Sequence, residues 1–116
     1  IIDFLEIQHW RHHPVSLLPY GYQKRVELGR ALAMEPELLL LDEPVAGMTD
    51  AETVETAILL KEIAKTRSVV VVEHDMSFVR ELGTRVTCLA EGSVLAEGTL
   101  DQVSQNPVVI ERYLGR

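Results

Sequence analysis

The sequence holds one cysteine, Cys88, so no disulfide can close within the chain, and a reducing, cytoplasmic setting fits. Its apolar neighbours mark it as a small buried hydrophobe. Long hydrophobic runs are missing as well. The longest purely aliphatic stretches, Leu38 to Leu41 and Val69 to Val72, fall far short of the roughly 20 residues a helix needs to cross a bilayer. No signal-peptide pattern opens the chain, so any membrane association is expected to come through a partner. Positive charge is in deficit: 11 Lys and Arg against 18 Asp and Glu leave a net charge of −7, which argues against nonspecific nucleic-acid binding. The only dense cationic stretch, Lys24 to Arg30, is interrupted by Glu27 and reads as one face of a helix. Also absent is any G-x-x-x-x-G-K-[ST], the glycine-rich loop that cradles phosphates.

What remains is an ordinary globular composition, 47% hydrophobic and 25% charged, too balanced for intrinsic disorder. Apolar residues stand at helical spacing from the first position (Ile1, Ile2, Leu5, with Phe4 and Trp10), as if an element had been entered midway. The chain is therefore expected to be a piece of a longer protein. This first amphipathic stretch ends near His12 to Pro14, and a linker runs to Gly21. Strong helix formers predict a helix from Tyr22 to Met34, closed off by Pro36. His9, His12 and His13 lack acidic or cysteine partners at metal-ligand spacing and read as surface or linker residues.

Leu38 to Leu41 is a short, continuous apolar run, the pattern of a strand buried on both faces of a parallel sheet, and Asp42 and Glu43 stand at its carboxyl end. Ala51 to Lys65 carries Val54, Ala57, Ile58 and Ala64 at the spacing of a helix with one buried face. Val69 to Val72 repeats the buried-strand pattern. Strand, helix and strand imply a right-handed crossover, which would bring Asp42-Glu43 and Glu73-His74-Asp75 to one edge of the sheet, where open α/β sheets bind ligands. Arg85 to Ala90 and Ser93 to Glu97 flank Glu91-Gly92 as a hairpin, although Glu-Gly is a weaker turn signal than Asn-Gly. Thr49 with Glu52, and Thr99 with Gln102, have the spacing of capping boxes. Asn106-Pro107 supplies a cap and first-turn proline for a last helix stopped by Gly115.

Three segments then stand out in order: Leu18-Pro19-Tyr20-Gly21-Tyr22-Gln23-Lys24-Arg25, Leu38 to Leu41 followed by Asp42-Glu43-Pro44, and Val69 to Val72 followed by Glu73-His74-Asp75. In this order and spacing they resemble the signature motif, Walker B strand and switch-histidine strand of ABC ATPases. The resemblance covers essentially the whole chain. It implies the C-terminal half of a P-loop NTPase domain of α/β class, with parallel strands, flanking helices and a C-terminal hairpin plus helix. Residues 1–34 would then be the end of a helical subdomain with the signature helix, and 35–116 the C-terminal part of the catalytic core.

The same resemblance assigns roles. Asp42 matches the residue that holds magnesium, directly or through water; Glu43 matches the group that orients or deprotonates the attacking water; His74 matches the switch that donates to the γ-phosphate. Leu18, Pro19, Tyr20, Gly21, Tyr22 and Gln23 form the signature, expected to face ATP bound by the opposite subunit. Gly21, Gln23 and Arg25 match the family pattern. Pro19 replaces the usual serine, Tyr20 the first glycine and Tyr22 the usual glutamine, and Pro19 has neither hydroxyl nor N–H for a phosphate. Ala46, Gly47, Met48 and Thr49 resemble the D-loop, with Thr49 where an acid is expected.

Asp42 to Thr53 most resembles urea-importer ATPases, whereas Leu18 to Gly21 is nearer those importing branched-chain amino acids; Asn106-Pro107 through Tyr113-Leu114-Gly115 fits both. The implied function is the ATP-hydrolysing subunit of such an importer, at the cytoplasmic face of the cell membrane. It would work with a second ATPase subunit, membrane permease subunits and, indirectly, a solute-binding protein outside the membrane. ATP and Mg2+ would both need an N-terminal half carrying the phosphate loop, so these residues alone are not expected to hydrolyse ATP. Two other readings stay open: a soluble ABC-type ATPase not coupled to transport, and a noncatalytic interaction fragment.

Overall fold

The computed structural model describes residues 1–113, and the chain divides into two units, Ile1–Phe78 and Val79–Arg116. In the first unit the opening residues form turns and a short 3-10 segment, Gln8–Trp10, rather than a regular helix, followed by a second at Val15–Leu17. Proline at 14 and 19 limits helix on either side of that second segment. Helix α1 spans Tyr20–Leu32, beginning two residues before the predicted Tyr22 because Pro19, at φ −54° and ψ 149°, serves as its N-cap. It ends as Glu35 enters the left-handed region at φ 51°, ahead of Pro36.

Strand β1 (Leu38–Asp42) pairs in parallel with β2 (Ser68–Val72), Leu38 opposite Ser68 through Asp42 opposite Val72. Helix α2 (Asp50–Ile63) connects them, and the capping box predicted for Thr49 and Glu52 is formed: Glu52 N–H donates to Thr49 Oγ1 at 3.2 Å and Thr49 N–H to Glu52 Oε2 at 3.4 Å. Two expectations of burial fail here. The apolar runs predicted strands covered on both faces, but burial alternates: Leu39 is 4% exposed while Leu40 is 67% and Val72 60% exposed. An apolar run fixes what a strand can tolerate, whereas burial depends on what lies against each face. The buried stripe of α2 is Thr53, Ala57, Leu60 and Ile63, which keeps Ala57 from the predicted set; Ala64 is exposed, and Val54 and Ile58 sit a third of a turn round and stay exposed. Leu5, Leu18, Leu32, Leu39, Leu60 and Phe78 anchor the core of this unit.

Helix α3 (Met76–Leu82) straddles the boundary between units. The second unit is an antiparallel hairpin of β3 (Val86–Ala90) and β4 (Ser93–Gly98), irregular between Cys88 and Leu89, with α4 (Leu100–Ser104) and α5 (Pro107–Tyr113). Its turn is Glu91-Gly92 at φ 50° and 78°, the pair of positive angles a type I′ turn requires. The Thr99 and Gln102 capping box is formed, and Asn106 Oδ1 accepts from Val108 N–H at 2.9 Å. Val103 and Val109 are buried; Cys88 is only half-buried, on a two-stranded sheet that covers it incompletely. The predicted stop at Gly115 lies outside the described residues.

Candidate functional site

Because β1 and β2 run parallel with Asp42 opposite Val72, the chain leaves both strands at the same level, and the two polar clusters meet at one edge as the strand order predicts. Glu43 N–H donates to Val72 O at 2.8 Å, which carries the ladder one step beyond β1. Glu43 itself lies at φ 48°, a left-handed conformation that costs a residue with a Cβ about 1–2 kcal/mol. That backbone turns its side chain toward β2, where Oε1 comes 3.0 Å from His74 Nδ1. A carboxylate only accepts, so Nδ1 carries the hydrogen in this pair and Nε2 is the ring nitrogen left facing elsewhere. Both side chains remain accessible, Glu43 50% and His74 79% exposed.

Strand alternation explains which groups project. Leu38, Leu40 and Asp42 share the exposed face of β1, and Val70, Val72 and His74 share that of β2. Among the described residues no hydrogen bond or ion pair engages the Asp42 carboxylate, so it presents free oxygen lone pairs at the rim. The same alternation turns Glu73 inward with Val69 and Val71. Its side chain is 2% exposed; Oε1 accepts from His74 N–H at 3.0 Å and Asp75 N–H at 3.4 Å and lies 3.6 Å from His74 Nδ1, while Oε2 is buried with no partner among the described residues. Sequence reading placed Glu73 in the cluster but gave it no role; continuing the period-two count one residue past Val72 would have marked it as the inward carboxylate holding the histidine's backbone. Asp75 Oδ1 accepts from Phe78 N–H at 3.1 Å and so starts α3.

The signature-like segment lies where β1 gives way to α2. Leu18 is buried, and Gln23 Nε2 donates to its carbonyl at 2.9 Å, folding the segment onto the first turn of α1. Tyr20 and Gly21 occupy that first turn, and among the described residues their N–H groups meet no acceptor. Glu43, Pro44, Val45 and Ala46 form a turn closed by Ala46 N–H to Glu43 O at 3.2 Å; Gly47 follows at φ 77°, and Met48 Sδ accepts from Thr56 Oγ1 at 3.3 Å. Arg25, its side chain 14% exposed, donates to Leu5 O at 3.0 Å and Glu55 Oε2 at 2.7 Å and stands over the Tyr22 ring. Of the altered positions, Tyr22 packs its ring within the chain, 5.6 Å from Trp10 and 5.8 Å from His9, centre to centre, whereas Tyr20 is 46% exposed. His9, His12 and His13 are exposed.

Comparison with known proteins decides the family. Residues 1–46 match the ABC transporter family model. Over 102 residues the chain is 40% identical to the high-affinity branched-chain amino acid transport ATP-binding protein LivG of Escherichia coli K12, covering 86% of this chain and 40% of LivG. The chain belongs to the ABC transporter ATP-binding family. The corresponding protein BraF of Pseudomonas aeruginosa is 33% identical over 98% of this cassette chain and 46% of its own length. A nucleotide-free ATP-binding cassette from an ABC transporter superposes with a TM-score of 0.90 at 28% identity, over 99% of the chain and 47% of that structure. A dimeric cassette in a post-hydrolysis state with ADP and Pi gives 0.72 at 31% identity, over 85% of the chain and 44% of its own. The chain thus spans less than half the length of the relatives it matches. No helix among the described residues is long and apolar enough to cross a membrane.

Proposed function

We propose that this cassette chain is the C-terminal part of the ATP-hydrolysing subunit of an ABC importer for branched-chain amino acids or urea, residues 1–34 ending the helical subdomain and 35–116 completing the catalytic core. The observation that carries the reading is the 3.0 Å contact between Glu43 Oε1 and His74 Nδ1 at the parallel strand ends, beside an unengaged Asp42. Relatives named for branched-chain amino acid transport support the substrate class; the urea alternative rests on the resemblance of Asp42 to Thr53. Hydrolysis would need a phosphate-cradling loop, which these residues lack.

Among the described residues no group of three or more His, Cys, Asp or Glu is placed to hold a metal ion. One free carboxylate nevertheless fits magnesium, which keeps several waters and takes one or two carboxylates together with substrate phosphates. Asp42 would be that ligand. The ion, when bound, would neutralise charge on the phosphate oxygens. Glu43 would accept a hydrogen bond from the attacking water and orient it, its second oxygen being free of His74. With Nδ1–H directed at Glu43, His74 would turn Nε2 toward the terminal phosphate, and it donates there only as the imidazolium. The first turn of α1, where the N–H groups of Tyr20 and Gly21 meet no acceptor among the described residues, would meet the nucleotide of a second cassette. Permease subunits would place the assembly at the cytoplasmic face of the membrane, with a solute-binding protein acting on its far side and no nucleic-acid partner.

Replacing Glu43 with Gln in the complete subunit tests this. Nucleotide binding is expected to persist while steady-state hydrolysis falls by about 100-fold or more, because water orientation and proton acceptance are lost together. Near-normal hydrolysis would remove Glu43 from the reaction.

A further inference from the structure

Tyr20 stands where the family pattern has a glycine, and the hydroxyl-bearing edge of its ring faces Gly47. A Cβ built on Gly47 would come 3.2 Å from Tyr20 Cε1, tighter than packed carbons ordinarily sit, and 3.6 Å from Cζ, at van der Waals contact, and the φ of 77° independently favours glycine. The next residue repeats the arrangement: a Cβ on Gly21 would lie 3.0 Å from the Glu52 carboxylate, the group that caps α2. One turn further on, Arg25 meets Glu55 at 2.7 Å. The start of α1 and the 47–55 segment therefore interlock at three successive points, and at the first of them a large residue on one side is matched by a missing side chain on the other.

From this geometry we infer that Tyr20 and Gly47 are positioning residues that lock the signature segment to the D-loop of the same chain, so that the two shift as one body. The inference rests on the reading of residues 18–23 and 46–49 given above. The aromatic ring at position 20 thus supplies a contact within the chain at a place where glycine would supply none.

A double-mutant cycle in the complete subunit tests it. Gly47→Ala, Tyr20→Ala and the pair are compared in kcat and KM for ATP. The left-handed strain of alanine at 47 is common to both backgrounds and cancels, leaving the ring contact. The methyl group is expected to cost kcat about threefold or more beyond its cost when position 20 is alanine, with KM little changed. Strict additivity would overturn the inference. Should Gly47→Ala fail to fold, Tyr20→Phe and Tyr20→Ala are compared with each other: alanine is expected to lower kcat further than phenylalanine does, with KM alike in both, and equal turnover in the two would overturn the coupling. A fluorotyrosine at position 20 adds a readout independent of turnover, since its fluorine resonance is expected to move in Gly47→Ala and to stay fixed if the two segments are uncoupled. An additive cycle in an enzyme that still depends on Glu43 sinks the coupling alone, whereas indifference to Glu43→Gln sinks the reading beneath it.

Discussion

The strand-end rim and the corner where α1 meets the 44–55 segment treat their polar side chains in opposite ways. At the rim, Asp42, Glu43 and His74 project from the fold with one contact among them. At the corner, Arg25 is 14% exposed and divides its guanidinium between a backbone carbonyl, a carboxylate and an aromatic face. Groups that exchange partners during a reaction cycle are best left uncommitted, because every native contact must be broken before they act. Groups that transmit position need the reverse. Glu73 belongs to the second kind although it adjoins the first: buried, it fixes the backbone N–H groups of His74 and Asp75 so that the imidazole can stay exposed.

The widest separation of the two regions is expected from Glu43→Gln, which should abolish nearly all hydrolysis yet leave the melting temperature almost unmoved, since substitutions of exposed side chains change stability by about 0.5 kcal/mol or less. A large drop in melting temperature would place Glu43 among the structural groups and undo the contrast. Arg25→Ala should show the opposite split: loss of charge-assisted hydrogen bonds to Leu5 O and Glu55 is expected to cost about 1–3 kcal/mol in chemical denaturation. Wild-type unfolding of that variant would mean the corner is no more tightly built than the rim. Thr49→Ala should cost less, about 1 kcal/mol, through loss of one side of the capping box of α2. A change well above that value would show that the Thr49 side chain does more than cap, since the backbone carbonyl that accepts from Thr53 Oγ1 is kept in the variant.

Local signals were legible in the sequence wherever one residue type determines the geometry. Both capping boxes, the parallel pairing of β1 and β2, the hairpin and the meeting of Glu43 with His74 follow from spacing and from the short range of the forces involved. Burial was not legible to the same degree. Leu40, Val70 and Val72 read as core and stand exposed, because four consecutive apolar residues say nothing about what covers the second face. The buried stripe of α2 was misplaced by one position for a related reason: Thr53 carries a methyl group and a hydroxyl that bonds back to Thr49 O, so a residue counted as polar faces inward while Val54 does not. At the candidate site the strand edge shared by Asp42, Glu43 and His74 was legible, but the approach of the Tyr20 ring to Gly47 was not, since it joins segments far apart in sequence and leaves no periodic trace.

The smallest effect lies on the exposed side of the corner. Burial works against the charge of the Lys24 ammonium, but its 3.3 Å hydrogen bond to Glu27, the charge of Glu27 and the neighbouring Tyr20 outweigh it, and the pKa ends above the usual 10.5. A pKa raised by folding stabilises the chain below pH 10.5 and loses that contribution as the pH climbs through the higher folded value. The pair is open to solvent, so its worth is only about 0.3 kcal/mol. Titration of the Lys24 side chain by NMR in Glu27→Gln is therefore expected to show a lower pKa, with a smaller drop in Tyr20→Phe. Should removal of the Tyr20 hydroxyl lower it more than removal of the Glu27 charge, Lys24 would belong to the packed side of the corner, and the boundary between committed and uncommitted groups would run along α1 itself.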